Sequence, residues 1–507
     1  MRSFFDSLPV ALVALTVAVI GWLFGGTRSD VIIATVPWLL LFLLEAIIAF
    51  PQKATNETTY EARARVWGDM KRDPLVWTAV GLLVLLAIPL VNNGLCVNCD
   101  RVLIAQGINP DPPVKFLPFC VNRMQHLGVF LWFAAALATM VATKHGLRRR
   151  GKRMLLKMLV WNGFALAVLG FVQTATNAPG PLWIHMKNVK SATTFFSTFG
   201  YANMAGDYFT TLFGIAIALW RRSCDDVAAG RDRRPEDVKG SSHSRFWRRH
   251  LYLVPAAVFF FAALNTLSRA AIILATALLA VYFVHAFISF SHRLRRGDKV
   301  RRGAIALGAV FLAAFFAIVS LPEDMQREVD TINTEEVLTR VTGKGQYHIR
   351  VATEIWKDNF LFGCGGWGYK HFCGLKMTAE ERKHRQVIGG INVHNDYLQF
   401  LAEHGLVGFG AMVALAVMLL VPVGSTWRRL AKAARFTDPR RAPPKPTALF
   451  ALPAPAFCLL AALTATFIHS FGDCPLRSAA VLSLFYTTMA AIPGFLPKKE
   501  EDYNASR

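Results

Sequence analysis

The sequence LPVALVALTVAVIGWLF, residues 8–24, is followed by GGTR at 25–28 and then by VIIATVPWLLLFLLEAIIAF at 31–50. Each run is apolar over about 17 to 20 residues, the length of helix that crosses the hydrocarbon of a bilayer. In hydrocarbon a chain must satisfy its own backbone hydrogen bonds, so such runs read as helices. Arg2 precedes the first run, but Gly25-Gly26-Thr27-Arg28 is not a small-residue cleavage motif and a second run starts at Val31. The first run is therefore read as a retained helix, not a removed signal peptide.

Outward from this pair the pattern recurs through a chain of 507 residues, 54% hydrophobic and 18% charged. Helices are expected at 8–25, 31–50, 75–91, 126–142, 154–174 and 204–220, then at 250–265, 270–290, 303–321, 404–424, 447–467 and 478–496. The fold class is thus an all-α polytopic membrane protein of about twelve transmembrane helices, with a long, partly helical loop between helices nine and ten. No internal repeat and no paired broken helices of the transporter kind are visible.

The net charge of +23 raises the question of a nucleic-acid partner, which the placement of the basic residues answers. With the N-terminus in the cytoplasm, 37 Lys and Arg fall on inside segments and 18 outside, 10 of those 18 in the single long loop. This is the positive-inside pattern, with both termini cytoplasmic. Basic stretches such as Arg428 to Arg441 then meet the headgroups of the lipid bilayer, and no nucleic acid is implied. On the same topology Cys96, Cys99, Cys120, Cys364, Cys373 and Cys474 lie outside, as disulfides or idle thiols. Cys96 and Cys99 lack a second ligand pair at metal spacing.

Residues 322–403 make a loop too long for a passive connector, and long loops usually carry function. Tyr347 to Asn359 reads as an amphipathic helix, with Ile349, Ala352, Ile355 and Trp356 on a face able to lie on the bilayer. Gly363-Cys364-Gly365-Gly366-Trp367-Gly368 matches GxGxxG without a preceding buried strand. It reads either as a turn whose amides approach a substrate or as a plain helix stop. In Val393-His394-Asn395-Asp396, Asn395 or Asp396 can cap a short helix that Gly405 ends. The macrodipole at its N-terminus disfavours a cation, making His394 the better base, whereas His404 at the C-terminus favours its charged form. A structural hydrogen bond is the alternative role of His394.

Arg269 stands at the tip of the hairpin between helices seven and eight, where a guanidinium can bind a lipid-linked phosphate or simply anchor at the interface. Glu45, in helix two, and Asp207, near the start of helix six, are intramembrane acids that are either functional or bonded between helices. Lys187 and Lys190 can add positive charge to a phosphate site or form a solvated face.

Four segments, taken together and in order, resemble the bacterial O-antigen ligase family, with its related O-antigen polymerases and protein O-oligosaccharyltransferases. They are Ser197 to Tyr208, the turn Leu267-Ser268-Arg269-Ala270, the loop helix and glycine turn of Arg350 to Phe372, and His394 to Gly408. The resemblance divides the chain into N-terminal helices over 1–190, a ligase-like core over 191–425 and C-terminal helices over 426–507. It implies transfer of a glycan from an undecaprenyl-diphosphate donor to an acceptor hydroxyl, outside the bacterial inner membrane and with neither metal nor cofactor. His394 then takes the acceptor proton or steadies the diphosphate, while Arg269 and Arg350 bind the diphosphate. Asn203, Asp207, Lys187, Lys190 and Asn395 are further site candidates. The lipid A core, a growing glycan and a protein are the possible acceptors, and a lipid-linked glycan transporter is the alternative of another class. No Asp-x-Asp occurs to hold a metal, so a base for the hydroxyl and cations on the leaving group must serve.

Overall fold

A computed structural model describes residues 2–54, 56–96, 112–185, 195–228, 247, 249–294, 347–381, 392–435 and 451–497. The architecture is all-α. Helices α1 (Arg2–Trp22) and α2 (Ser29–Ile48) are joined by a turn in which Gly25 and Gly26 have positive φ. The twenty residues of α2 span about 30 Å, the thickness of bilayer hydrocarbon. Next come α3 (Thr59–Arg72), α4 (Pro74–Ala87), α5 (Arg123–Val141), α6 (Arg149–Ala175) and α7 (Ala202–Ala228). Then follow α8 (Leu253–Asn265), α9 (Arg269–Leu294), α10 (Tyr347–Asp358), α11 (Gly368–Lys376), α12 (Asp396–Arg435), α13 (Ala454–Gly472) and α14 (Ala479–Ala491). Strands Asn93–Cys96 and Cys120–Asn122 make one small parallel pair.

Among the described residues, five helical stretches are long and apolar enough to cross a membrane, or six if the bent pair α3–α4 counts as one. The expected helix at 303–321 lies outside the described residues. The expected helix at 447–467 sits further along the chain, as α13, with Pro453 as its N-cap and Pro455 in its first turn, where proline costs no intrahelical hydrogen bond. Helix α3 lies between the apolar runs expected at 31–50 and 75–91. A Thr58–Glu61 capping box starts it, and Asp73, which caps α4 at the Leu75 amide, marks a bend of 70°. Glu45 is exposed in the last turn of α2.

The core is one large apolar cluster in which α7 packs on α8 and α13, and α14 on α5. The loop helices form a second cluster. Val351, Ala352 and Ile355 of α10 are buried against Tyr369, Cys373, Val393 and Ala402, so the apolar face expected on the bilayer is turned into protein. Cys120, Cys224, Cys364, Cys458 and Cys474 are buried free thiols, and Cys373 is buried as well.

Candidate active site

At one end of the bundle the entries to α7 and α12 meet the exit of α13. The entry to α7 is fixed by a tight turn over Phe196 to Phe199, where Ser197 Oγ donates to the Leu166 carbonyl and Thr198 Oγ1 to that of Gly21. The entry to α12 is a capped helix start, with the Leu398 amide donating to Asn395 Oδ1 at 3.0 Å. Asn395 Nδ2 donates in turn to the Phe471 carbonyl, tying this start to α13. Helix α12 breaks at Gly405 (φ 64°, ψ −172°), so Asp396 to His404 forms the short helix the sequence predicted.

His394 immediately precedes that helix and adopts φ +55°, a left-handed conformation that costs a non-glycine residue about 1–2 kcal/mol. Its Nδ1 lies 3.2 Å from Asp473 Oδ1, and its side chain is 44% exposed while that of Asp473 is 6%. The carboxylate also accepts from Tyr201 Oη at 3.0 Å, from Asn203 Nδ2 and from the Cys474 amide at 2.7 Å. Burial pushes the Asp473 carboxyl up, but the hydrogen bond and charge of His394, the charge of His469 and the Cys474 amide outweigh it. Asp473 is thereby held well below the usual carboxylate range. Burial and the neighbouring Asp473 raise the Tyr201 phenol, keeping it a donor.

Around this pair lie two further polar layers. Asp207, buried in α7, accepts from Thr466 Oγ1 at 3.0 Å and pairs with His469 Nδ1 at 3.1 Å. The helix-to-helix role is therefore the one its contacts display. On the other side, Asp396 Oδ2 accepts from Ser470 Oγ and the Leu476 amide, and Glu403 Oε2 accepts from Arg477 Nη1 at 2.8 Å with both side chains buried. The Arg477 guanidinium also lies 4.2 Å from the Trp367 ring centroid.

The glycine turn packs backbone to backbone on this layer. A Cβ on Gly363 would sit 2.3 Å from the Glu403 carbonyl carbon, and one on Gly405 2.3 Å from that of Leu361. The amides expected to approach a substrate are taken by protein: Cys364 donates to Ala402 O, Gly365 to Glu403 O and Gly366 to His126 Nδ1. Helix α10 ends at Asp358, five residues before Gly363. His404, expected as a cation, is instead buried edge-on to Phe133 and beside Phe400.

Arg269 begins α9 at the hairpin tip, whose Thr266, Ser268 and Ala271 pack on Gly206, between Asn203 and Asp207. That contact brings the hairpin to the same end of the bundle as His394. Arg350 is on α10 with its guanidinium between Glu354 Oε1 at 2.7 Å and Glu381 Oε2 at 2.6 Å. On that helix His348 has its ring centroid 6.0 Å from that of His394. Lys187 and Lys190 lie outside the described residues. His394, Asp473 and Cys474 offer one ligand atom each within 4.8 Å of one another, a spacing able to hold a metal ion.

Asp473, Arg477 and His348 were missed from the sequence. The signal for the first two was present: Gly472-Asp473-Cys474-Pro475-Leu476-Arg477 joins the last two long apolar runs and puts an acid and a base in a very short connector.

These features define a polytopic α-helical membrane protein with a His–Asp pair held at one end of its bundle. Residues 254–413, about a third of the chain, match the O-antigen ligase family model. The matched residues include Arg269, Arg350 and His394, while Asn203, Asp207, Asp473 and Arg477 lie beyond them. No curated protein sequence matches the chain.

Proposed function

We propose that this protein is a metal-independent glycosyltransferase that moves a glycan from undecaprenyl diphosphate to an acceptor hydroxyl, with a lipid A core sugar as the acceptor. The observation that carries this reading is the pairing of His394 with Asp473. When Nδ1–H donates to the carboxylate, the imidazole is held in the tautomer that leaves Nε2 as the proton acceptor. Asp473 then stabilises the imidazolium that forms.

The acceptor O–H gives its proton to His394 Nε2 as its oxygen bonds to the anomeric carbon. The bond from that carbon to the diphosphate oxygen breaks, and undecaprenyl diphosphate departs with the bonding pair. Arg269 faces the developing negative charge, the task a guanidinium performs bidentately. Arg350 joins it by exchanging a carboxylate partner for phosphate. Twelve spans, cytoplasmic termini and a periplasmic site in the bacterial inner membrane complete the proposal, the sequence charge pattern being its support.

Purified protein in lipid, given an undecaprenyl-diphosphate glycan, is tested with lipid A core, a growing glycan and a protein as acceptors. Transfer to lipid A core that falls sharply in His394→Ala and Arg269→Ala supports the proposal. Transfer to one of the other acceptors alone makes the enzyme a polymerase or a protein O-oligosaccharyltransferase. Unchanged transfer in both variants rejects the site, and movement of the carrier between leaflets without transfer rejects the reaction.

A further inference from the structure

At the opposite end of α7 from Asn203, α6 and α7 flank an open-sided cavity of about 470 Å³ lined by Arg150, Arg153, Met154, Lys157, Leu219 and Arg222, with Ser223 and Asp226. Nineteen residues of helix separate Asn203 from Arg222, or about 29 Å along its axis, and the cavity also flanks the N-terminal part of α6, a helix long and apolar enough to cross a membrane. Four cations face it and one carboxylate does, and that carboxylate, Asp226, is 2.8 Å from Arg222. Arg150 also stands in the first turn of α6, where the macrodipole disfavours positive charge, and no acidic residue lies in that turn to offset it. Charge segregation accounts for basic residues at a membrane surface. It does not account for their convergence on one cavity between two helices, beside the apolar Met154 and Leu219.

We propose that this cavity binds the phosphodiester headgroup of an anionic phospholipid, Arg150, Arg153 and Arg222 taking the phosphate oxygens while Met154 and Leu219 line the start of the acyl chains. An anion here lowers the mutual repulsion of the arginines and complements the N-terminus of α6. The volume is within the range of small-ligand sites, and the apolar flank suits a lipid better than a free ion. The site is independent of the glycan-transfer reading, since it shares no residue with the His394 end.

The test is native mass spectrometry of the full chain given equal amounts of cardiolipin and phosphatidylcholine, with and without millimolar inorganic phosphate. Wild type is expected to retain cardiolipin about 10-fold over phosphatidylcholine, a difference of about 1.4 kcal/mol. Arg150→Gln/Arg153→Gln should lose that preference with its thermal midpoint kept. If that variant does not fold, Arg150→Gln/Lys157→Gln, both exposed, decides the question and should reduce the preference several-fold. Equal retention of the two lipids by wild type, undiminished preference in the folded variant, or displacement of cardiolipin by phosphate would overturn the proposal.

Discussion

His394 and Asp473 stand 79 positions apart in the chain and meet with Nδ1 and Oδ1 3.2 Å from each other. The histidine arrives on the entry to α12 and the aspartate on the exit of α13, and the Asp396 amide donates to the Asp473 carbonyl to fix the two segments together. A half-exposed imidazole is thus oriented by a buried carboxylate whose other acceptor sites are filled by Tyr201, Asn203 and Cys474.

This pairing predicts how stability depends on pH. Burial pushes the Asp473 carboxyl up, but His394 and its other partners hold it below the ordinary range. A carboxyl depressed in the folded state contributes stability that is complete above its unfolded pKa of about 3.9 and lost as pH falls through the folded value. The gap in thermal midpoint between wild type and Asp473→Asn should therefore narrow below about pH 4, as the carboxyl takes up a proton. A gap that stays constant to the acid limit would mean that the carboxylate gains nothing from its partners.

Donor binding separates the two arginines. Arg269→Ala should raise the KM for the lipid-linked donor by about 10- to 100-fold, the worth of a charge-assisted contact, and Arg269→Lys should recover little of it. Arg350 is occupied by Glu354 and Glu381, so Glu381→Gln should release it and lower the donor KM. An unchanged KM in Glu381→Gln would remove Arg350 from donor binding.

The buried Glu403–Arg477 pair predicts a non-additive stability cycle. Glu403→Met or Arg477→Met alone strands a charge in the interior and should cost about 3–5 kcal/mol. The double Met variant should recover most of that loss, because neither charge remains. Thermal unfolding in detergent reads this, and additive losses would show that the pair serves another partner.

Metal chemistry offers a further check. Transfer should be unaffected by a chelator, since the proposed steps use only side chains. Added Zn²⁺ should inhibit, by bridging His394, Asp473 and Cys474 and occupying the base. Cys474→Ser should blunt that inhibition. Loss of transfer on chelation would overturn the metal-independent account.

Much of the fold was legible because membrane spans are written as local composition: α5, α6 and α9 appear within a few residues of where their apolar runs predict them. Helix α3 was not, since an amphipathic segment of mostly polar residues carries no such signal and only its Thr58–Glu61 box marks it. At the site, Asn395 and Gly405 were readable as helix cap and helix stop, because both act on neighbouring backbone. Asp473 was not readable as the partner of His394, because what joins them is the packing of α12 against α13. The glycine turn misled for a related reason: its amides look free in sequence, and their acceptors on Ala402, Glu403 and His126 come from other segments.

The most direct test of the account is the rate of glycan transfer from an undecaprenyl-diphosphate donor in His394→Ala, in Asp473→Asn and in the double variant. Because the two residues act as one unit, each single change should slow transfer by about 10²- to 10⁴-fold, and the double should be little worse than His394→Ala. Asp473→Asn with a wild-type rate, or a double variant whose loss is the product of the two single losses, would contradict it.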